Sequence, residues 1–353
     1  MDIVSITNTV SYGDAASNHF IAMDQMLKGL GFKTALYANR IDPKLDYEVL
    51  PFAKFDPKTA KNIVFHFASG TSFVNEILKL PQDIILYYQN ITPAEFFKGI
   101  SWGTYRNTQK GRKQLLQLRA KTRFAWAASE YSRLELENNG FQDTSVIPIV
   151  VNLSDYKNIE ANPQIYQEYK DDKTNLLFVG RIAPNKKHED LIRLLYYYKN
   201  FISSEVRLIL VGNPKASYVN KLKKLMEALQ ISGDVVMTGK VSFQDMCSYY
   251  KVADAFVCMS EHEGFLVPLV EAMNFRVPIF AFDSSAIPHT LGNSGVLFDE
   301  KDFGQIAHTI DYILQNKQIK SEILTAQDKR LGDFSQDRIA ELLKQDIERY
   351  FIK

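Results

Sequence analysis

A chain of 353 residues exceeds what one ordinary hydrophobic core organises and suits two domains of roughly 150–200 residues each. Hydrophobic residues make up 46% and charged residues 24%, the balance of a soluble globular protein and not of a disordered or fibrous one. Lys and Arg number 42 against 41 Asp and Glu, so bulk charge points to no nucleic-acid partner.

Short β-branched and aromatic runs alternate with amphipathic, helix-length segments from end to end. Strands are expected at 2–7, 34–38, 62–68, 83–89, 124–129 and 145–150, and again at 175–180, 206–212, 234–239, 255–260, 278–283 and 295–299. Near-continuous apolar strands separated by helices indicate parallel sheets covered on both faces. Two such sets predict an α/β chain of two doubly wound, Rossmann-like domains, which place ligands at the carboxyl ends of their strands. The polar stretch 152–175, without strand pattern, marks the junction. Residues 337–351 carry apolar side chains at helical spacing and need a surface to cover them.

Neither MDIVSITNTV nor any apolar run has the layout of a signal peptide or a membrane span. The two cysteines, Cys247 and Cys258, have no metal-ligand spacing and read as buried thiols. A reducing, cytoplasmic setting is expected.

The densest chemistry lies in SEHEGFLVPLVEAM, residues 260–273, directly after the apolar run AFVCM. Pro268 suits the first turn of a helix, where its missing N–H costs nothing. Gly264, Phe265, Leu266 and Val267 then form a strand-to-helix turn whose backbone N–H groups favour an anion, most often phosphate. Glu271 is expected in the first helical turn, where its carboxylate could accept two hydrogen bonds from a ribose diol. Glu263, before the turn, could hold sugar hydroxyls. The plain alternative is that Glu271 complements the helix dipole and Glu263 is solvated. A second segment, VGRIAPNKKHEDLI (179–192), repeats the design: Gly180 ends a strand, Arg181 follows, and Lys186 stands at the helix entrance. Two cations there would neutralise a diphosphate leaving group.

Two other chemistries compete for the same residues. The carboxylates of EHE (261–263) could hold Mg²⁺ or Mn²⁺, but Arg181 and Lys186 already supply the cations, so no metal is expected. A nicotinamide cofactor is disfavoured because the first turn, TNTVSYGDAAS, has one glycine and no G-x-G-x-x-G.

Taken together, these residues resemble the retaining glycosyltransferases of GT-B fold in family GT4. The resemblance rests on the E-x7-E element Glu263–Glu271, with its EGF and P-L-x-E-A-M pieces, and on G-R-x4-K at Gly180–Lys186. In the first half, YGDAASN (12–18) and YYQNITPAEFF (87–97) look like the bacterial members that build polysaccharides. The resemblance implies a GT-B architecture with an acceptor domain at 1–152 plus 335–353, a donor domain at 153–334, a cleft between them and the last helix crossing back. It implies that Arg181 and Lys186 contact the donor diphosphate, Glu263 the donor sugar and Glu271 the ribose. The backbone of Gly180 and of Gly264–Val267 would line the donor, with Gly13 and Asp14 facing it from the first domain. His66, Gln89 and Asn90 are the acceptor-side candidates. Gln89 departs from relatives, which often carry a histidine there, and it cannot act as a base near neutral pH. His289 departs too, standing where relatives frequently have Glu. A lone strand histidine such as His66 is more often structural.

The implied reaction moves a hexose from a UDP- or GDP-sugar to a hydroxyl of a cell-surface saccharide, lipid-linked, with retention and without cofactor or metal. Competing expectations are a GT-B sugar-nucleotide epimerase or phosphorylase, and a non-catalytic sugar-nucleotide binding protein. From Lys98 to Arg123 there are eight Lys/Arg and no Asp or Glu: Lys98, Arg106, Lys110, Arg112, Lys113, Arg119, Lys121 and Arg123. The helix expected at about 104–121 within it is suited to an anionic membrane surface, or else is a solvated face. Peripheral placement at the inner face of the cell membrane is the corresponding expectation.

Overall fold

The computed structural model describes residues 1–214 and 216–351. The chain divides into two compact units: residues 1–98, 102–152 and 333–353 form the first, and residues 99–101 and 153–332 the second.

The first unit is built on β1 (Ile3–Val10), β2 (Thr34–Ile41), β3 (Leu50–Pro51), β4 (Asn62–Phe67), β5 (Ile84–Tyr88), β6 (Thr122–Ala127) and β7 (Thr144–Val146). Its seven-stranded sheet has the order β3-β2-β1-β4-β5-β6-β7, and all neighbours are parallel. Successive residues of a strand face opposite sides, which gives the sheet two cores. Val4, Ile6, Phe65, Phe67, Leu86, Tyr88, Ala125 and Ala127 pack on one side with Leu115 and Leu118 of the helix Trp102–Arg119. Among residues of opposite parity, Trp126 donates to Asp346 Oδ2 (2.8 Å) and Phe124 stacks on Tyr350 (4.0 Å between centroids). Both partners belong to the helix Gln336–Tyr350, so the end of the chain crosses back and buries its apolar stripe on the first sheet.

The helix Trp102–Arg119 also lies backbone against backbone on the loop after β4. A Cβ on Gly70 would fall 2.1 Å from Asn107 O, and one on Gly111 would fall 2.7 Å from Gly70 N. Gln114 closes the contact by accepting from Thr71 N and donating to Thr71 O.

The second unit holds β8 (Thr174–Val179), β9 (Val206–Val211), β10 (Val235–Gly239), β11 (Ala255–Cys258), β12 (Ile279–Phe282) and β13 (Val296–Phe298). Its six strands run β10-β9-β8-β11-β12-β13, again all parallel. In each sheet the order reverses at one place, between β1 and β4 and between β8 and β11. The carboxyl ends of strands at such a reversal leave a crevice, because the loops depart to opposite sides.

The structure amends the sequence reading in places. The strand expected at 145–150 stops at Val146, because Pro148 has no N–H to continue the ladder. The edge strand β3 was missed: it is two residues long, and one of them is proline. The junction stretch holds two short helices, Ser154–Lys157 and Pro163–Tyr169. Both cysteines are buried and free. Among the described residues no helix is long and apolar enough to cross a membrane.

Candidate functional site

The loops after β8 and β11, the two strands at the reversal of the second sheet, carry the charged residues singled out above. Gly180 leaves β8 with φ +150° and donates to Val211 O (2.9 Å). Its partner Gly212 has φ +152°, and a Cβ there would lie 2.0 Å from Gly180 O. Two glycines are therefore needed for these strand ends to close on each other. Arg181 follows, exposed. The chain then makes a single turn, Pro184–Lys186, and passes through Lys187 at φ 53° into the helix His188–Phe201. Asn185 is buried and ties this loop to the one after β11: its carbonyl accepts from Glu261 N and its amide donates to His262 O, both at 2.9 Å.

With the loops so tied, Lys186 Nζ reaches both carboxylate oxygens of Glu263, at 2.6 Å for Oε1. The side chains are 13% and 6% exposed, so this is a largely buried ion pair, with the carboxylate the deeper partner. Glu263 is further fixed through its backbone N–H, which donates to Ser285 Oγ at 2.7 Å. Glu263 is thus not solvated: it is buried and held by Lys186. Next to it Glu261 pairs with Lys187 (2.9 Å) and Lys301 (2.8 Å), and Lys301 also pairs with Asp190 (2.7 Å). Burial pushes the Glu261 carboxyl up, but Lys301 and Lys187 outweigh it and hold it below the usual range. His188, buried between Phe178 and Tyr218, is pushed down to about 3 by burial and then by Lys186, so it stays neutral.

The turn Gly264–Val267 departs from expectation in one respect. Leu266 takes the left-handed conformation (φ 71°), and the helix it introduces, Val267–Asn274, begins there without a side-chain cap. A leucine at positive φ is strained by about 1–3 kcal/mol, and the surroundings must enforce it. Thr290 Oγ1 does part of this, donating to Phe265 O at 2.7 Å. Because the helix starts at Val267, Glu271 is its fifth residue, beyond the first turn, and the first turn contains no acid. The expected dipole-facing position is therefore corrected.

Glu271 is 6% exposed, and Tyr156 and Tyr250 donate to its two oxygens, each at 2.8 Å. Phe275 stacks on Tyr250 (5.1 Å), and Phe243 meets Tyr156 edge to face (4.9 Å). Burial raises the Glu271 carboxyl above its usual range, and the two tyrosine hydroxyls oppose that rise. A carboxylate has about four lone-pair directions, so two remain for other donors. Sequence reasoning missed Tyr156, which lies in the stretch read as a junction, and the Glu261–Lys301 network, for which no local spacing gives a signal.

The remaining candidates, all but His289, lie in the first unit. Gly13 has φ 72° and open space where a Cβ would stand, so its backbone conformation is what requires glycine. Asp14 caps the helix Ala15–Gly29, with Oδ2 accepting from Ser17 N (3.1 Å) and Ser17 Oγ (3.0 Å). His66 is buried beside His19, Phe20 and Tyr87, with centroids 5.7, 4.9 and 5.0 Å away. Burial, and secondarily His19, push it far below the usual imidazole range. Gln89 is half-buried, its N–H on Phe67 O (3.1 Å). Asn90, at φ 73°, donates to Ser132 Oγ (3.1 Å) and Glu135 Oε2 (3.0 Å). Arg112 is absorbed into the same network, on Glu135 Oε1 (2.9 Å) and Ile91 O (2.8 Å). His289 is exposed on the helix Ile287–Leu291.

Among the described residues no group of three or more His, Cys, Asp or Glu is placed to hold a metal ion.

Residues 158–330 match the family model for glycosyl transferases group 1. Among curated proteins the chain is similar to D-inositol 3-phosphate glycosyltransferase of Mycobacterium sp. (strain KMS), 32% identical over 147 residues, covering 40% of this chain and 32% of that protein. It is also similar to lipopolysaccharide 1,2-N-acetylglucosaminetransferase of Salmonella typhimurium, 26% identical over 221 residues, covering 59% and 57%. The chain thus spans from about a third to just over half the length of these relatives. Among solved structures it resembles Anabaena Alr3699/HepE in complex with UDP and glucose, with TM-score 0.76, 16% identity and coverage of 99% and 100%. It also resembles WaaG, a glycosyltransferase involved in lipopolysaccharide biosynthesis, with TM-score 0.70, 12% identity and coverage of 98% and 99%. At these identities the likeness is one of fold, and that fold is GT-B.

Proposed function

We propose, from the premise that residues 158–330 form a domain of glycosyl transferases group 1, that this chain moves a hexose from a nucleoside diphosphate sugar to a saccharide hydroxyl. The observation that carries the reading is the meeting of Lys186 and Glu263 where β8 and β11 part, with Arg181 exposed on the same loop as Lys186. Cations there suit a departing diphosphate, and a carboxylate beside them suits sugar hydroxyls. Glu271, with lone pairs left over from its two tyrosines, suits the ribose diol, and the backbone of Gly180 and Gly264–Val267 the phosphates and sugar. UDP is favoured as the nucleotide because one neighbour of like fold is described with UDP-glucose; a GDP-sugar fits the same chemistry.

In the proposed mechanism Arg181 and Lys186 stabilise charge as the diphosphate leaves. The acceptor oxygen attacks on the same face, and a leaving phosphate oxygen takes its proton, so the anomeric configuration is retained and no enzyme base is needed. His66, far below the usual imidazole range, and Gln89 are both unsuited to be one. Metal independence is favoured because Glu261 and Glu263 are each already matched by lysines.

The acceptor proposed is a lipid-linked cell-surface saccharide. Relatives named for lipopolysaccharide, O-antigen and amylovoran biosynthesis support that class. So does the exposed face of the helix Trp102–Arg119, with Trp102, Arg106, Lys110 and Lys113, which suits peripheral contact with an anionic bilayer from the cytoplasmic side.

The test is a thermal-shift panel of UDP, GDP, ADP and dTDP with and without Mg²⁺ on wild type and Arg181→Ala. A ligand at 100 times its Kd stabilises by about 2.7 kcal/mol. One nucleotide is expected to shift wild type and not the variant, independent of Mg²⁺; no shift from any of the four or from their nucleotide sugars overturns the reading. A product of inverted configuration would overturn the mechanism alone.

A further inference from the structure

Lys186 and Glu263 are each assigned above to a different part of one donor, yet in the structure they hold each other. The contact is built in. Glu263 is buried and Lys186 nearly so, Nζ engages both carboxylate oxygens, and the two loops are locked by Asn185 and by Ser285 on the Glu263 N–H. The neighbouring lysines are committed to another acid, since Lys187 and Lys301 both pair with Glu261. His188, kept neutral by burial, offers no replacement charge.

A buried charge that loses its partner is costly, far more so than an exposed one. An anion that draws Lys186 away therefore leaves Glu263 buried and unpaired, unless the same ligand brings hydrogen-bond donors to it. A nucleoside diphosphate brings phosphate oxygens and no such donors. A nucleotide sugar brings both, because its hexose hydroxyls can donate to Glu263 while its phosphates take Lys186.

We infer that the Lys186–Glu263 pair selects the intact nucleotide sugar over the nucleoside diphosphate, and that Glu263 expels the spent nucleotide by reclaiming Lys186. Once the hexose has left, the hydroxyls that satisfied Glu263 leave with it. The carboxylate then competes with the diphosphate for the one ammonium between them. The discrimination acts on the step that otherwise slows many transferases, release of a tightly held product. This inference rests on the donor reading proposed above.

The opposite signs expected from one substitution separate it from a structural pair. Binding of UDP, UDP-glucose, GDP and GDP-mannose is measured by titration calorimetry on wild type and Glu263→Gln. The glutamine cannot hold Lys186 as a charge, so the diphosphate of the matching base should bind roughly tenfold tighter. The matching nucleotide sugar should bind more weakly, because its hydroxyls lose a charged acceptor. A change of the same sign for both ligands, or no change in either, overturns the inference while leaving the donor reading intact. No binding of any of the four to wild type overturns the donor reading itself, and this inference with it. Should Glu263→Gln fail to fold, wild type alone decides: the nucleotide sugar must bind more tightly than its own diphosphate, and the reverse order overturns the inference.

Discussion

Tyr156 donates its hydroxyl to Glu271 Oε1 at 2.8 Å across 115 positions of sequence, while Tyr250 takes the other oxygen at the same distance. Cys247, one turn before Tyr250, also faces the carboxylate, but burial pushes its thiol up to about 11, so it brings no charge. Glu271 is raised by burial and held down by the two hydroxyls. Its folded value lies above its unfolded one, so its contribution to stability is fully present in acid and is lost as pH rises through the folded value. Ionising this buried carboxyl thus costs the fold stability, and the two tyrosine hydroxyls reduce that cost. Tyr156→Phe removes one of the opposing hydroxyls, so the carboxyl should rise further. The acidic limb of nucleotide affinity should move to higher pH, and affinity at pH 7.5 should fall by about 1 kcal/mol, roughly fivefold. Titrations at stepped pH on both proteins check this. An unmoved limb would separate Glu271 from the nucleotide.

His19 and His188 are pushed down to about 3 by burial, and His66 far below its usual range. Each is neutral in the fold and must charge on unfolding, so stability is present above the unfolded pKa near 6.5 and falls as pH drops toward the folded values. The loss is about 1.4 kcal/mol per pH unit for each group. His66 has neither ring nitrogen hydrogen-bonded and sits among Phe20 and Tyr87. His66→Phe should therefore hold stability at pH 7.5 to within about 1 kcal/mol and flatten its decline between pH 6.5 and 5. Melting curves across that range measure it. Loss of transfer activity with an unchanged fold would give His66 a role in the reaction.

What the sequence displayed well was the fold. Strands buried on both faces read as near-continuous apolar runs, so AFVCM and NLLFV stood out, and the loops bearing Arg181, Lys186 and Glu263 followed from strand ends. Its limits were pairings at long range. Lys186 and Glu263 are 77 positions apart, and nothing local says that one holds the other. Glu271 was misplaced by part of a turn because a left-handed Leu266 delays the helix, and leucine, unlike glycine, does not announce that conformation. Asp14 was legible and read otherwise: an aspartate before a helix with Ser17 three positions on is a cap signal.

The two cations should behave differently as structural elements. Arg181 is exposed, so Arg181→Ala should leave stability within about 0.5 kcal/mol of wild type. Lys186→Met strands a buried carboxylate and should cost about 3–5 kcal/mol, whereas Lys186→Met combined with Glu263→Leu should recover most of that. Calorimetric melts of the three variants decide. A double variant as unstable as the single one would mean that packing, not charge, sets the cost.

On the helix Trp102–Arg119, Arg112 is spent on Glu135 and Ile91, which leaves Arg106, Lys110 and Lys113 among its exposed cations. Trp102 is 58% exposed and Leu116 48%, so the same outer side offers apolar anchors. Each cation near an anionic surface is worth about 1 kcal/mol, screened by salt. Reversing all three to Glu should abolish sedimentation with vesicles of anionic phospholipid at low salt, while nucleotide affinity stays unchanged. Failure of wild type to sediment would remove the membrane from the proposal.

The last prediction concerns the backbone on which the cations are mounted. Gly212 and Gly180 approach so closely that a methyl group on Gly212 would sit 2.0 Å from the Gly180 carbonyl oxygen, at a φ of +152° that side chains rarely adopt. Gly212→Ala must therefore push the ends of β8 and β9 apart, and Arg181 follows Gly180 directly. Gly233, in contrast, has nothing within 4 Å of a Cβ. Gly212→Ala should cost about 2–4 kcal/mol and weaken nucleotide binding even at temperatures where the variant is fully folded. Gly233→Ala should change neither by more than about 0.5 kcal/mol. Paired melts and titrations of these two variants make the comparison. If Gly212→Ala lost stability yet bound nucleotide as wild type does, the Gly180–Arg181 turn would not be what positions the diphosphate.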